Sequence, residues 1–299
     1  MNSETQPGNS DYKYFKKHFL EAPGAHLLGT GISGSGKTSK AVLISKGCLK
    51  AGKSIVWFDS GKGEEILFLL NFGYPATVFY PAVGKCSMKI EGSPVPIEYV
   101  PLESPEALFR QLRPGLNIVS IRPFFTELTP YVRYLSRAFN QLIDDAYRKM
   151  IKAVPLTIFL DEAQTIFPSR RIHESPRQQE LGARIAMAVY TLRSEGIGLA
   201  AFSQSFRNIA PSVRAQFNFH LVGRNPDSDP KDFIGNLIHQ YEPMLSKFGP
   251  DMALIIRPDG TFKDKVHFPL PKKPEGATVE YIGHIRVRKM KEEEYEAET

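Results

Sequence analysis

The chain is poor in cysteine: two residues in 299, Cys48 and Cys86. That is too few for a disulfide framework, and it points to a reduced, cytoplasmic setting. No run approaches the roughly 20 uninterrupted apolar residues of a membrane helix, so no transmembrane segment is expected. The opening MNSETQPGNSDYKYFKK has charges without an apolar stretch behind them, so no secretory leader is expected either. Internal repeats are lacking. What remains is ordinary for a folded globular protein, with 42% hydrophobic and 23% charged residues. The formal charge of +6 and pI near 9.1 suit a polyanionic partner, but many proteins of that charge never touch nucleic acid.

Short β-rich apolar runs at 26–28, 54–59, 76–80, 116–121, 156–161, 198–204 and 217–222 alternate with segments of helical period. In 129–150 the residues Val132, Leu135, Phe139, Leu142, Ile143 and Ala146 share one face, behind Thr129 as cap and Pro130 at the first helical position. A second helix opens on Ser175, Pro176 and Gln178 in a capping-box pattern and stops at Gly196. Strands alternating with helices predict an α/β fold, a mostly parallel central sheet flanked by helices. The expected organisation is a flexible polar segment over 1–22, one α/β domain over 23–270 and a charged tail over 271–299. The proline-rich stretch 81–114 reads as an insertion or lid. Residues 252–256 and 265–268, joined around Pro258-Asp259-Gly260, read as a hairpin.

Gly31-Ile32-Ser33-Gly34-Ser35-Gly36-Lys37-Thr38 fits G-x-x-x-x-G-K-[ST] at every fixed position. Glycines let the backbone curl so that successive N–H groups converge on phosphates. The helix opening at Lys37 aims its positive end at them. Lys37 is expected on the β- and γ-phosphates and Thr38 on Mg²⁺, with Gly31, Ser33, Gly34, Ser35, Gly36 and Ser39 as further nucleotide contacts. Average residue usage produces the pattern by accident in about one chain in a hundred. Here an apolar strand precedes it and a helical pattern follows, which is the setting the loop requires.

Leu156-Thr157-Ile158-Phe159-Leu160-Asp161-Glu162 is a buried strand ending in two carboxylates. An acidic helix cap is the plain alternative. Beside a phosphate loop, Asp161 is expected to hold Mg²⁺ and Glu162 to orient and deprotonate the attacking water. At least one further strand is expected between this one and the loop's own strand, which defines the additional-strand, catalytic-glutamate class of RecA-like P-loop NTPase. No Asn-Lys-x-Asp motif reads guanine, so ATP is expected over GTP.

Gly198-Leu199-Ala200-Ala201-Phe202-Ser203-Gln204 is another buried strand with a polar end. Gln204 is either a turn residue or a sensor of the γ-phosphate. Arg193 ends the preceding helix, where a cation suits the dipole; the functional alternative is an arginine finger reaching a neighbouring subunit, with Arg207 and Arg224 as rivals. Arg170, Arg171 and Arg177 fall in the loop after the carboxylates, which is either a solvated surface or a set of DNA phosphate contacts.

Together these residues resemble the HerA/FtsK superfamily of ATPase motors over about residues 25–270. The features are the phosphate loop, Trp57-Phe58-Asp59 before Gly61-Lys62-Gly63-Glu64, Gly115-Leu116-Asn117-Ile118-Val119, Phe159-Leu160-Asp161-Glu162, Arg193 before Gly196-Ile197-Gly198, and Ser203-Gln204 with Pro211 beyond. The chain departs from the family in two places. Its Asp59-to-Glu64 turn has an extra residue, which loosens any role for Lys62, and Ser205-Phe206 replaces the Arg-Pro that usually follows the sensor. Nothing before residue 25 is long enough for the family's N-terminal β-barrel.

The resemblance implies a ring, expected to be hexameric, that moves double-stranded DNA. A chain that is nearly all motor looks most like the genome-packaging ATPases of tailless double-stranded DNA viruses and related mobile elements. A capsid or membrane-associated partner is the role suggested for 81–114. The rival functions are a protein-translocating or secretion/assembly ATPase with the same nucleotide residues, and a monomeric nucleotide switch or kinase.

Overall fold

The computed structural model describes residues 9–83, 85–169, 176–224 and 233–285. In chain order its strands are β1 (Leu27–Thr30), β2 (Ser54–Phe58), β3 (Ala76–Pro81), β4 (Ser87–Glu91), β5 (Ile97–Leu102), β6 (Leu116–Val119), β7 (Leu156–Leu160), β8 (Ile197–Ser203), β9 (Phe219–Val222), β10 (Met252–Ile256), β11 (Lys265–His267) and β12 (Thr278–Ile282). Of the helices, α1 is Ser10–Phe15, α2 Lys37–Lys50, α3 Glu64–Leu70, α4 Leu108–Gln111, α5 Leu128–Tyr147 and α6 Pro176–Ser194.

Among the described residues one ten-stranded sheet runs β11-β10-β9-β1-β8-β7-β2-β6-β3-β5. Every pairing from β9 to β5 is parallel, and β10 and β11 close one edge antiparallel. The predicted α/β fold with a mostly parallel sheet is what forms. Strands β1, β2, β6, β7, β8 and β9 are buried along their whole length. They are mostly apolar because helices cover both faces, with Asn117, Thr157 and His220 among the few buried polar residues.

Successive residues of each strand serve opposite layers. Val56 and Phe58 join Leu160 and the α5 residues Leu135, Phe139 and Leu142 on one side. Ile55 and Trp57 join Phe159, Phe202 and the α2 residues Ala41, Ile44 and Cys48 on the other. Strand β8 lies between β1 and β7, as the catalytic-glutamate class requires. The register sets Thr30 opposite Ser203 and Leu160 opposite Phe58. The residues after β1, β8, β7 and β2 therefore leave the sheet at one edge.

Several expectations are corrected. Residues 10–20 are not a flexible lead-in but a helix continuing into a π-turn, capped by the Asn9 side chain on Asp11 and Tyr12 N–H. Phe15 and Phe19 are both 0% exposed, stack at 4.8 Å and meet Phe219 edge-on. Buried Asp11 accepts from Lys263 and Asp264 N–H and pairs with Arg257 at 2.6 Å. The polar composition concealed this segment, because its apolar residues lie at helical rather than contiguous spacing.

The region 81–114 is not a separate lid. Strand β5 extends the main sheet beside β3, while β4 pairs with β12. The start of the expected tail is thereby folded, with Val279 and Tyr281 packed inward. The cap of helix α5 is Glu127, two residues before the anticipated Thr129. Pro130 still falls within the first turn, where its missing N–H costs no helical bond.

Replacing Phe19 with alanine is expected to cost about 3–5 kcal/mol through the buried cavity it opens. Urea unfolding measures this; no change would mean the N-terminal helix is frayed in solution.

Candidate active site

Between β1 and α2 the loop turns on two glycines in the left-handed region, Gly34 (φ 73°) and Gly36 (φ 72°). A Cβ on Gly36 would lie 2.0 Å from the Pro250 carbonyl oxygen, and one on Gly31 2.6 Å from Ser35 Oγ. Only glycine fits at 36, and a side chain at 31 would have to displace the Ser35 hydroxyl. The loop is pinned from three sides. Ile32 N–H donates to the Arg224 carbonyl at 3.0 Å and Ser35 N–H to the Ile32 carbonyl at 3.1 Å. Lys37 Nζ donates to the same Ile32 carbonyl at 3.0 Å. Lys40, only 2% exposed, donates to the carbonyls of Ser35 and Pro250, each at 2.6 Å. Burial pulls the Lys40 ammonium down to about 8, against the opposing pull of Asp251.

The acidic pair arrives from β7. Thr38 Oγ1 donates to Asp161 Oδ2 at 2.8 Å, and the Asp161 side chain is 1% exposed. Glu162 occupies the left-handed region (φ 53°, ψ 44°), which is strained for a residue with a side chain. Its N–H donates to Asp161 Oδ1 at 3.1 Å. That backbone turn sends the two carboxylates in different directions. Glu162 accepts from Gln164 Nε2, from Gln204 Nε2 at 3.4 Å to both oxygens, and from Lys62 Nζ at 3.4 Å. Burial works to raise the Glu162 carboxyl, but the Gln164 bond, the Lys62 charge and the Gln204 bond outweigh it and hold the group below its ordinary range. Glu162 is therefore a carboxylate at neutral pH, as a proton acceptor must be. Burial lowers the Lys37 ammonium, opposed by the charges of Glu162 and Asp161.

Ser33, Gly34, Gly36, Lys37, Thr38, Ser39, Lys62, Glu162 and Gln204 line a single cleft of about 200 Å³. The residues fit a magnesium-bound triphosphate. A hydroxyl and a carboxylate are the hard oxygen donors Mg²⁺ takes from protein, with phosphates completing its shell. The glycine cradle and the α2 N-terminus suit the anion.

Most sequence-predicted site residues are brought together, but not all. Arg193 is exposed at the opposite edge of the sheet. Its carbonyl lies 2.3 Å from where a Cβ on Gly24, just before β1, would sit. It takes no part in its own chain's cleft. Of its rivals, the Arg224 guanidinium lies 3.9 Å from the Cβ position on Gly34, over the loop. Arg170 and Arg171, and the side chain of Arg177, lie outside the described residues.

Sequence reasoning discounted Lys62 and missed the network beneath it. Lys62 Nζ lies 3.5 Å from Asp161 Oδ2 and 3.8 Å from Glu65 Oε1. Buried Asp59 accepts from Ser120 Oγ and Tyr281 OH, both at 2.7 Å. Buried Glu65 accepts from Trp57 Nε1 at 3.2 Å and from the Ser60 hydroxyl. The two acids at 64–65 were visible in sequence; that the second turns inward was not.

No protein-family model and no curated protein matches the sequence. Solved structures do. The genome packaging NTPase B204 of Sulfolobus turreted icosahedral virus 2, in complex with ATP-gammaS, is 16% identical over 83% of this chain and 98% of its own, with a TM-score of 0.49. The DNA-packaging ATPase B204 of Sulfolobus turreted icosahedral virus is 18% identical over 83% and 98%, also at 0.49. The pCW3 conjugation coupling protein TcpA is 16% identical over 79% and 57%, at 0.44.

Burial, reinforced by the Asp161 charge, pushes the Glu65 carboxyl from its ordinary 4.5 up to about 7. Between these values the folded chain holds a proton that the unfolded chain has released. Its contribution to stability is full below 4.5 and is lost as pH rises through 7. Glu65→Gln abolishes that dependence. The melting temperature of the parent is expected to fall relative to the variant between pH 4.5 and 7.5; a constant difference would contradict it.

Proposed function

We propose that this chain is an ATPase that hydrolyses Mg-ATP at the subunit interfaces of a homo-oligomeric ring, expected to be a hexamer. The ring translocates double-stranded DNA in packaging a viral or mobile-element genome, in the host cytoplasm. The observation that carries the reading is the Thr38–Asp161 hydrogen bond with Glu162 beside it, held by Gln204. It joins a phosphate loop to an acidic pair in one cleft.

In this reading the loop N–H groups and Lys37 hold the phosphates, while Thr38 and Asp161 hold Mg²⁺. The metal supplies charge neutralisation on the phosphate oxygens. Glu162 orients a water and takes its proton as the water oxygen bonds to the γ-phosphorus and the bond to ADP breaks. Gln204, beside Glu162, responds to the γ-phosphate. Arg193, remote from its own cleft, is free to complete a neighbour's. The DNA assignment draws on the HerA/FtsK-like motif set, the charge of +6 and the arginines Arg170, Arg171 and Arg177. Among the described residues no helix is long and apolar enough to cross a membrane.

Glu162→Gln is expected to lower the ATPase rate by about 10²–10⁴-fold while nucleotide still binds. Mixing Glu162→Gln with Arg193→Ala chains should restore part of the activity that each lacks alone. If no ratio does so and Arg193→Ala alone is fully active, the shared site is wrong. Double-stranded DNA should stimulate hydrolysis, and less so at high salt. A rate flat across DNA lengths and salt would favour a protein-moving motor.

A further inference from the structure

We infer that Lys62 is a second cation for the triphosphate, one that binds the γ-phosphate and lets the site distinguish ATP from ADP. This rests on the ATPase reading above and assigns a residue to that site.

The turn that carries Lys62 is built rather than loose. It leaves β2, which pairs directly with β7, so it emerges beside Asp161 and Glu162. Gly61 (φ 93°) and Gly63 (φ 71°) both lie in the left-handed region, which folds the chain sharply on either side of Lys62. Both ends are anchored in the interior. Asp59 takes Ser120, Tyr281 and, at 2.9 Å, the Gly61 N–H; Glu65 takes Trp57 and Ser60. The extra residue in this turn does not remove the lysine from the site. It is absorbed between two fixed points.

The ammonium sits within 3.4–3.8 Å of Glu162, Asp161 and Glu65. The Asp161 oxygen it faces is the one that bonds Thr38. Yet the side chain is 51% exposed and lines the cleft with Ser33, Gly34 and Lys37. An ammonium on a flexible four-carbon stem can change partner while its backbone stays pinned. A divalent metal on Thr38 and Asp161 competes for the same carboxylate and repels Lys62. The anion then within its reach is the terminal phosphate, which ATP has and ADP lacks. Moving there also withdraws a hydrogen-bond donor from Glu162, the proton acceptor for the water.

The alternative is that Lys62 merely neutralises three crowded carboxylates. The test measures Kd for ADP and for a non-hydrolysable ATP analogue, with Mg²⁺ and with chelator, in the parent, Lys62→Met and Lys62→Arg. Lys62→Met is expected to weaken the ATP analogue about tenfold while ADP changes by less than about twofold. Lys62→Arg should retain most of the preference. Should Lys62→Met not fold, Lys62→Gln carries the same expectation. An unchanged ATP-to-ADP ratio, or equal weakening of both nucleotides, would overturn the assignment while leaving the phosphate-loop reading intact. A parent chain that binds neither nucleotide would overturn both.

Discussion

One hydrogen bond, from Thr38 Oγ1 to Asp161 Oδ2 at 2.8 Å, joins parts of the chain 123 residues apart and defines the site. A charge-assisted bond of this kind contributes about 1.5–3 kcal/mol. Its larger role is geometric, because it sets the two oxygen donors expected on one metal against each other. Asp161 is nearly inaccessible, so the bond also satisfies a charge that would otherwise be costly to bury. Glu162 is then aimed elsewhere by its left-handed backbone and held by glutamine and lysine donors.

The sheet makes that bond available. With β8 between β1 and β7, the phosphate loop and the acidic pair leave the sheet two strands apart at one edge. Gln204, at the end of the intervening strand, falls on Glu162 for the same reason. On the far side β2 delivers the 59–65 turn. Behind the loop, Lys40 bonds Ser35 and Pro250 at once, so the segment leading into the β10–β11 hairpin is tied to the phosphate loop. Four successive strand ends and one buried lysine account for the cleft.

The phosphate loop and the acidic pair were legible in sequence because each is a short contiguous pattern whose residue types the chemistry dictates. The strands were legible because burial on both faces leaves continuous apolar runs, and their ends were read to within a few residues. What could not be read was long-range. Tyr281 meets Asp59 across 222 residues and Lys40 meets Pro250 across 210; no local pattern marks either pair. Lys62 was undervalued because an inserted residue suggests a loose turn, while the anchors that tighten it come from Ser120, Tyr281 and Trp57. The N-terminal helix was hidden by polar neighbours around Phe15 and Phe19.

The central claim is that the phosphate loop and the acidic pair act as a single metal–nucleotide site. Electron paramagnetic resonance of Mn²⁺ in place of Mg²⁺ tests it most directly. The account expects one tightly held Mn²⁺ per chain only when a nucleoside triphosphate is present, lost in both Thr38→Ala and Asp161→Asn. Mn²⁺ binding that needs no nucleotide, or that survives either substitution unchanged, would contradict it.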